Sequence, residues 1–202
     1  MQEDDLAVRM VRPASYKSID VPRSSSGVGL RKQRGVCVVL LYKDGITGKK
    51  LVFDTTPSTF ELVGAIKTSS RSTFVTIVVY RPGGEPVSSQ FFDELSAVLE
   101  QAAAYSCPVI VTGDLNLQLD VVGGSDARRL QEVLDTFGLC QSVSGPTHKD
   151  GHTLDVVISR AALPQPTINI RPCDEYSDHS LVLFQLRLPR PPLRFVDVST
   201  RA

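Results

Sequence analysis

Short apolar runs of strand length, separated by clusters of Gly, Lys, Pro or Ser, set the rhythm of this chain. Val36–Tyr42, Leu51–Asp54, Phe60–Ile66 and Phe74–Tyr80 are rich in β-branched and aromatic residues and predict strands. Leu40-Leu41-Tyr42 and Leu51-Val52-Phe53, joined by KDGITGKK, read as a hairpin. The period then changes. Phe91, Leu95, Val98, Leu99 and Ala102 recur at helical spacing behind a cap at Ser88 or Ser89. A further helix opens at Ser125-Asp126, carries Leu130, Val133, Leu134 and Phe137, and stops at Gly138. Val109–Thr112, Thr153–Ser159, Thr167–Ile170 and Ser180–Leu188 predict the remaining strands. Residues 1–34 are polar and weakly patterned, and there are no internal repeats. Many strands with few helices, each helix carrying one apolar face, predict an α+β fold in which two packed sheets are flanked by helices.

Composition narrows this little. The 202 residues suffice for one domain with a sizeable core, and 42% hydrophobic with 22% charged residues is ordinary for a globular chain. Lys plus Arg number 22 and Asp plus Glu number 22, so any polyanion must meet a local patch. Arg31, Lys32, Arg34, Lys43, Lys49 and Lys50 form one such patch against the single acid Asp44. It is either a solvated pair of strand edges or a phosphate-facing surface. Cys37, Cys107, Cys140 and Cys173 are far apart, with neither a disulfide framework nor a zinc site in their spacing; a reducing compartment is expected. No apolar stretch reaches membrane-spanning length and no signal peptide opens the chain, so the expectation is a soluble intracellular protein without a membrane partner.

The polar residues at strand ends change the picture. In VTGDLNL, an apolar run finishes in Asp114 and Asn116, positions i and i+2 that project to the same side of a strand. Taken alone, this stretch is better explained by a turn, since Asp and Asn are common turn residues. In HTLDVVISR, Asp155 stands inside an apolar strand, and in YSDHSLVLF, Asp178 and His179 stand at the mouth of the last one. A buried carboxylate needs a partner, and Asp155 could fix the tautomer of His179 while raising its pKa. Recurrence of Asp, Asn and His at several strand ends suits acid–base chemistry with hard-metal ligands, as in water attack on a phosphodiester.

GDLN, HTLDVVIS and SDHS, in this order, resemble the endonuclease/exonuclease/phosphatase superfamily, which includes DNase I-like and apurinic-site endonucleases. VVYRPGG before the helix SSQFFDELSAVLE, and the segment GPTHKDGHTLDVVISR, make the likeness greatest to the endonuclease domain of non-LTR retrotransposons. The resemblance covers nearly the whole chain and implies a four-layer α/β sandwich over residues 1–188. Residues 189–202 then form a Pro-rich linker towards an absent downstream region, resembling the connector to a reverse transcriptase.

The resemblance also implies roles. Asp114 matches the carboxylate that orients or deprotonates the attacking water, and Asn116 the amide that holds the phosphate and the metal-bound nucleophile. His179 matches the imidazole on the scissile phosphate, Asp155 its orienting carboxylate, Tyr80 a phenol near the phosphate, and Asp178 a metal-side ligand. Arg81, with Lys32 and Arg34 of the basic stretch, is expected to bind substrate. The implied cofactor is Mg²⁺, with Mn²⁺ as a substitute, and the implied partner is DNA, met chiefly at its phosphates and in the nucleus. Leu115 stands where the family more usually has Phe. The family's chief metal-ligand Glu ends a strand that this chain lacks, and Glu3 in MQEDDL is its only counterpart. The expectation is therefore an N-terminally truncated domain: a DNA-nicking endonuclease, or an inactive remnant of one, or a phosphatase of the same superfamily.

Overall fold

Val- and Ile-rich segments from the middle of the chain build a six-stranded sheet, in spatial order Thr47–Lys50 (β3), Glu61–Thr68 (β4), Thr73–Tyr80 (β5), Val109–Asp114 (β6), Asp155–Arg160 (β8) and Leu139–Gln141 (β7). The structure is a computed structural model that describes residues 12–20, 38–69, 72–172 and 177–188. Its elements in chain order are β1 Tyr16–Asp20, β2 Val39–Lys43, β3 Thr47–Lys50, β4 Glu61–Thr68, β5 Thr73–Tyr80, α1 Ser89–Ala103 and β6 Val109–Asp114. Then follow α2 Ser125–Thr136, β7 Leu139–Gln141, β8 Asp155–Arg160, β9 Thr167–Arg171 and β10 Leu181–Gln185. β5 and β6 pair in parallel, which obliges a crossover, and α1 supplies it. Ser88 caps α1 by accepting the Phe91 amide at 3.2 Å. Gly138, at φ +62°, ends α2 in the left-handed conformation that glycine adopts freely.

Strand alternation sorts the sheet into two unlike faces. Val75, Ile77 and Val79 of β5, Val109 and Val111 of β6, and Val156 and Ile158 of β8 face one way. They pack against Phe91, Leu95 and Leu99 of α1 and Leu130 and Leu134 of α2. On the other face Val63 and Ala65 meet Val38, Leu40 and Tyr42, with Ile19, Val78 and Tyr80 at the margin. This second layer is the antiparallel pair β1–β2, and β9–β10 forms another two-stranded sheet. The α+β class follows the expectation. No helix among the described residues is long and apolar enough to cross a membrane.

Several expected elements come out differently. The hairpin through KDGITGKK is not formed: β2 pairs with β1, whereas β3 pairs with β4 in the six-stranded sheet. The turn at Gly45 (φ +89°) is a corner where the chain changes sheets. Leu51–Asp54 alternates like a strand, with Leu51 buried and Val52 exposed, but Gln101 of α1 bonds its main chain at Val52 O (2.9 Å) and Asp54 N (3.1 Å). β1 and β7 are elements that the apolar pattern did not announce. The last apolar strand was expected in the core, yet Leu181, Leu183 and Phe184 of β10 are 48%, 39% and 36% exposed. β10 pairs only with β9 and stands outside the large sheet, so its side chains alternate over a surface with no cover among the described residues. The linker at 189–202 lies outside the described residues.

Candidate active site

Strand register brings three of the expected residues into one row. Tyr80 is opposite Asp114 across β5–β6, and Asp114 is opposite Asp155 across β6–β8. Register partners point to the same face, here the face away from the helices. The GDLN turn behind Asp114 needs its glycine: Gly113 has φ +134°, and a Cβ there would lie 1.9 Å from Val79 O. Asn116 is left-handed at φ +50°, a conformation that Asn tolerates better than most residues. Its amide NH (2.8 Å) and Nδ2 (2.8 Å) donate to the two carboxylate oxygens of Asp114, and Nδ2 also donates to Arg81 O (2.8 Å). The amide nitrogen is thereby committed, and Oδ1 is the atom left to meet a cation or a water.

Arg81 has a job other than the expected substrate contact. It is 6% exposed. Its guanidinium donates to Leu115 O (2.7 Å), Asn116 O (2.8 Å) and Glu85 O (3.2 Å). Its own amide donates to Asp114 O at 2.9 Å. Five donors in a rigid fork suit this task, and the result is a knot between the YRP and GDLN segments. Leu115 is 1% exposed beneath it, so the smaller apolar residue is accommodated.

His179 arrives from the segment before β10, where it forms an isolated β-bridge with His148. Its Nδ1 lies 2.9 Å from Asp155 Oδ2 and its Nε2 3.8 Å from Asp114 Oδ2. Burial works against a charged imidazole, but the Asp155 hydrogen bond and the nearby charges of Asp155, Asp114 and Asp178 outweigh it and raise the His179 pKa. Burial pushes the Asp114 carboxyl up; the Asn116 amide opposes this, and the neighbouring Asp155 adds to it. Asp178 is more exposed, at 56% of its side chain, with Oδ2 3.6 Å from His148 Nε2.

The residues that carry His179 to its partners include two with no role assigned from the sequence. Thr147 is fully buried, and its hydroxyl accepts the amides of Leu154 (2.9 Å) and Asp155 (3.1 Å). Its carbonyl accepts the Ser180 amide at 2.7 Å, and the Lys149 amide donates to Asp178 O at 2.9 Å. The ring of His148 meets that of His179 edge-on, with centroids 5.0 Å apart. GPTHKDGHT carried the family resemblance, and its threonine-histidine pair was the available signal. Glu3, Lys32 and Arg34 lie outside the described residues.

The donor set fits a hard divalent cation. Asp114, Asp155 and His179 each offer an atom within 4.8 Å of the others, and the Asn116 side-chain amide is bonded to Asp114. Burial raises the Asp114 pKa and the neighbouring Asp155 charge adds to it, a cost to the ionised carboxylate that a cation would relieve.

Comparison with known proteins decides the family. The sequence model described as "Endonuclease-reverse transcriptase" matches residues 74–183, more than half of the chain. The chain belongs to the endonuclease/exonuclease/phosphatase superfamily. Solved members share its fold. The endonuclease domain of TRAS1, a telomere-specific non-LTR retrotransposon, is similar over 86% of this chain and 79% of its own, with a TM-score of 0.61 and 14% identity. TDP2 of D. rerio, solved with a single-stranded DNA product, also gives 0.61 at 14% identity, covering 87% of this chain and 78% of its own. The 3′ phosphatase NExo from Neisseria, bound to a product DNA hairpin, gives 0.55 at 15% identity, covering 90% and 82%. At these identities the likeness is one of fold, the DNase I-like sandwich. No curated protein matches the sequence.

Proposed function

We propose that this chain is a Mg²⁺-dependent endonuclease that nicks DNA, of the kind attached to non-LTR retrotransposons. The observation that carries the proposal is the Asp155–His179 pair aimed at Asp114 on the aligned ends of β6 and β8. The superfamily hydrolyses phosphodiesters, and the TDP2 and NExo structures hold DNA products. In this reading Asp155 accepts from His179 Nδ1, holds the ring in place and favours its doubly protonated form, so that the Nε2–H donates to a non-bridging phosphate oxygen. The Tyr80 hydroxyl donates on the same row. Asp114, a stronger base than an ordinary carboxylate because its pKa is raised, takes a proton from the attacking water. That oxygen bonds to phosphorus as the bond to the leaving sugar oxygen breaks, and the leaving oxygen takes a proton from solvent. Asp114, Asn116 Oδ1 and Asp178 would hold the Mg²⁺, which when bound neutralises charge on the phosphate.

The test is nicking of supercoiled plasmid with Mg²⁺, with EDTA and His179→Ala as controls. Metal-dependent nicking that falls by about 100-fold or more in the variant is expected. A folded chain that leaves the plasmid intact with Mg²⁺ or Mn²⁺ refutes the activity and leaves a fold that has lost its chemistry.

A further inference from the structure

We propose that His148, Asp178 and His179 form a further divalent-metal site, suited to Zn²⁺ and related ions rather than to Mg²⁺. Each offers a ligand atom within 4.8 Å of the other two. Both rings place Nδ1 against an aspartate: His179 Nδ1 is 2.9 Å from Asp155 Oδ2, and His148 Nδ1 is 3.4 Å from Asp150 Oδ2. Imidazoles that bind metal usually rest their other nitrogen on such a carboxylate, which fixes the ring and strengthens the ligand. The Nε2 of each ring is then the donor: that of His179 also faces Asp114 Oδ2 at 3.8 Å, and that of His148 is 3.6 Å from Asp178 Oδ2. Ligands of a tetrahedral Zn²⁺ lie roughly 3.3 Å apart, close to the 3.6 Å between His148 Nε2 and Asp178 Oδ2.

Asp150 serves both tautomers of His148. Its main-chain amide, 3.2 Å away, donates to a bare Nδ1, whereas its carboxylate accepts from a protonated one; ligation through Nε2 selects the second. The donors are also placed in advance by the main chain. His148 and His179 form a β-bridge, flanked by the Lys149–Asp178 and Ser180–Thr147 hydrogen bonds of 2.9 and 2.7 Å. A pocket of about 480 Å³, lined by His148, Lys149, Asp178, His179 and Ser180, leaves a fourth position open to water. Two nitrogens and one oxygen match a borderline ion; Mg²⁺ prefers oxygen and retains water. Such an ion takes Asp178, assigned above to the Mg²⁺, and occupies the same His179 nitrogen that would meet the scissile phosphate. Its binding therefore inhibits phosphodiester cleavage, a consequence that rests on the nuclease reading, whereas the site itself does not.

The test is titration of the full chain with Co²⁺, followed by displacement with Zn²⁺. One Co²⁺ per chain is expected, with visible bands of four-coordinate geometry and no thiolate charge-transfer band. His148→Ala and the more exposed Asp178→Asn should each weaken it at least tenfold, while His152→Ala leaves it unchanged. In nicking assays His148→Ala should require about tenfold more Zn²⁺ for half inhibition. Unchanged Co²⁺ affinity in both weakened variants, a thiolate band, or no Co²⁺ bound by the folded chain overturns the site. A chain that binds Co²⁺ in this way but never nicks DNA overturns the nuclease reading alone.

Discussion

At the scale of single residues, the site depends on one missing side chain as much as on those present. β5 and β6 approach so closely at Gly113 that an added Cβ would sit 1.9 Å from Val79 O, and the backbone there has φ +134°. Both sterics and conformation exclude an L side chain. Gly113→Ala should destabilise the chain by on the order of 3 kcal/mol or more, measured by denaturant unfolding. A cost below about 1 kcal/mol would mean that the strands part easily, and that Asp114 is not held by them. GDLN was legible as a candidate because a carboxylate and an amide stand two positions apart at the end of an apolar run, although the strand ends at Asp114 and a turn, not strand alternation, brings Asn116 to it. Its reinforcement by Arg81 was not legible, since a sequence cannot say whether an arginine spends its donors on carbonyls or on substrate.

At the scale of elements, the site is assembled where one short segment ties two sheets together. Thr147 holds the amides of Leu154 and Asp155 at the start of β8 while its carbonyl holds Ser180 before β10. Thr147→Val preserves shape but takes the hydroxyl acceptor from the buried Leu154 amide and the half-buried Asp155 amide, which should cost about 1–3 kcal/mol. It should also lower kcat more than it raises KM, because Asp155 is displaced from His179. An unchanged kcat in a destabilised variant would separate the Thr147 hydroxyl from catalysis.

The loop before β4 is held in a comparable way. Glu94 of α1 accepts from the amides and hydroxyls of Ser58 and Thr59 and from Gln90 Nε2, at 2.6–3.0 Å. Burial raises the Glu94 pKa, but these hydrogen bonds outweigh it and the net shift is downward. A depressed carboxylate stabilises the fold above its unfolded pKa, and the gain is lost as pH falls through the folded one. Glu94→Gln should therefore flatten the loss of stability below about pH 4. The effect should be under about 1 kcal/mol at neutral pH, because solvent screens a group this exposed. A parallel stability–pH curve in the variant would show that the contacts do not persist in solution. Helices were readable from period alone, since Phe91, Leu95 and Leu99 all bury against the sheet. Strand pairing was not: the pattern that suggested a hairpin at KDGITGKK is equally satisfied by two strands in different sheets.

At the scale of the molecule, charge decides how a polyanion could be held. With 22 basic and 22 acidic side chains there is no overall field to draw DNA in, so attraction must come from the places where like charges gather. Lys49 and Lys50 end β3 at the edge of the large sheet and Lys43 ends β2 in the two-stranded β1–β2 sheet, all three exposed. Arg31, Lys32 and Arg34 precede them in the chain. If this stretch meets phosphates, each contact releases counterions, and the logarithm of the binding constant falls with the logarithm of salt by about 0.9 per contact. The double variant Lys32→Ala, Arg34→Ala should bind a short duplex more weakly and reduce that slope by roughly two, with unfolding unchanged. If only strand-edge protection is at stake, the slope stays as it was and the variant instead becomes prone to association. The salt titration thus separates the two readings that the basic run left open, because only phosphate contacts carry a counterion signature.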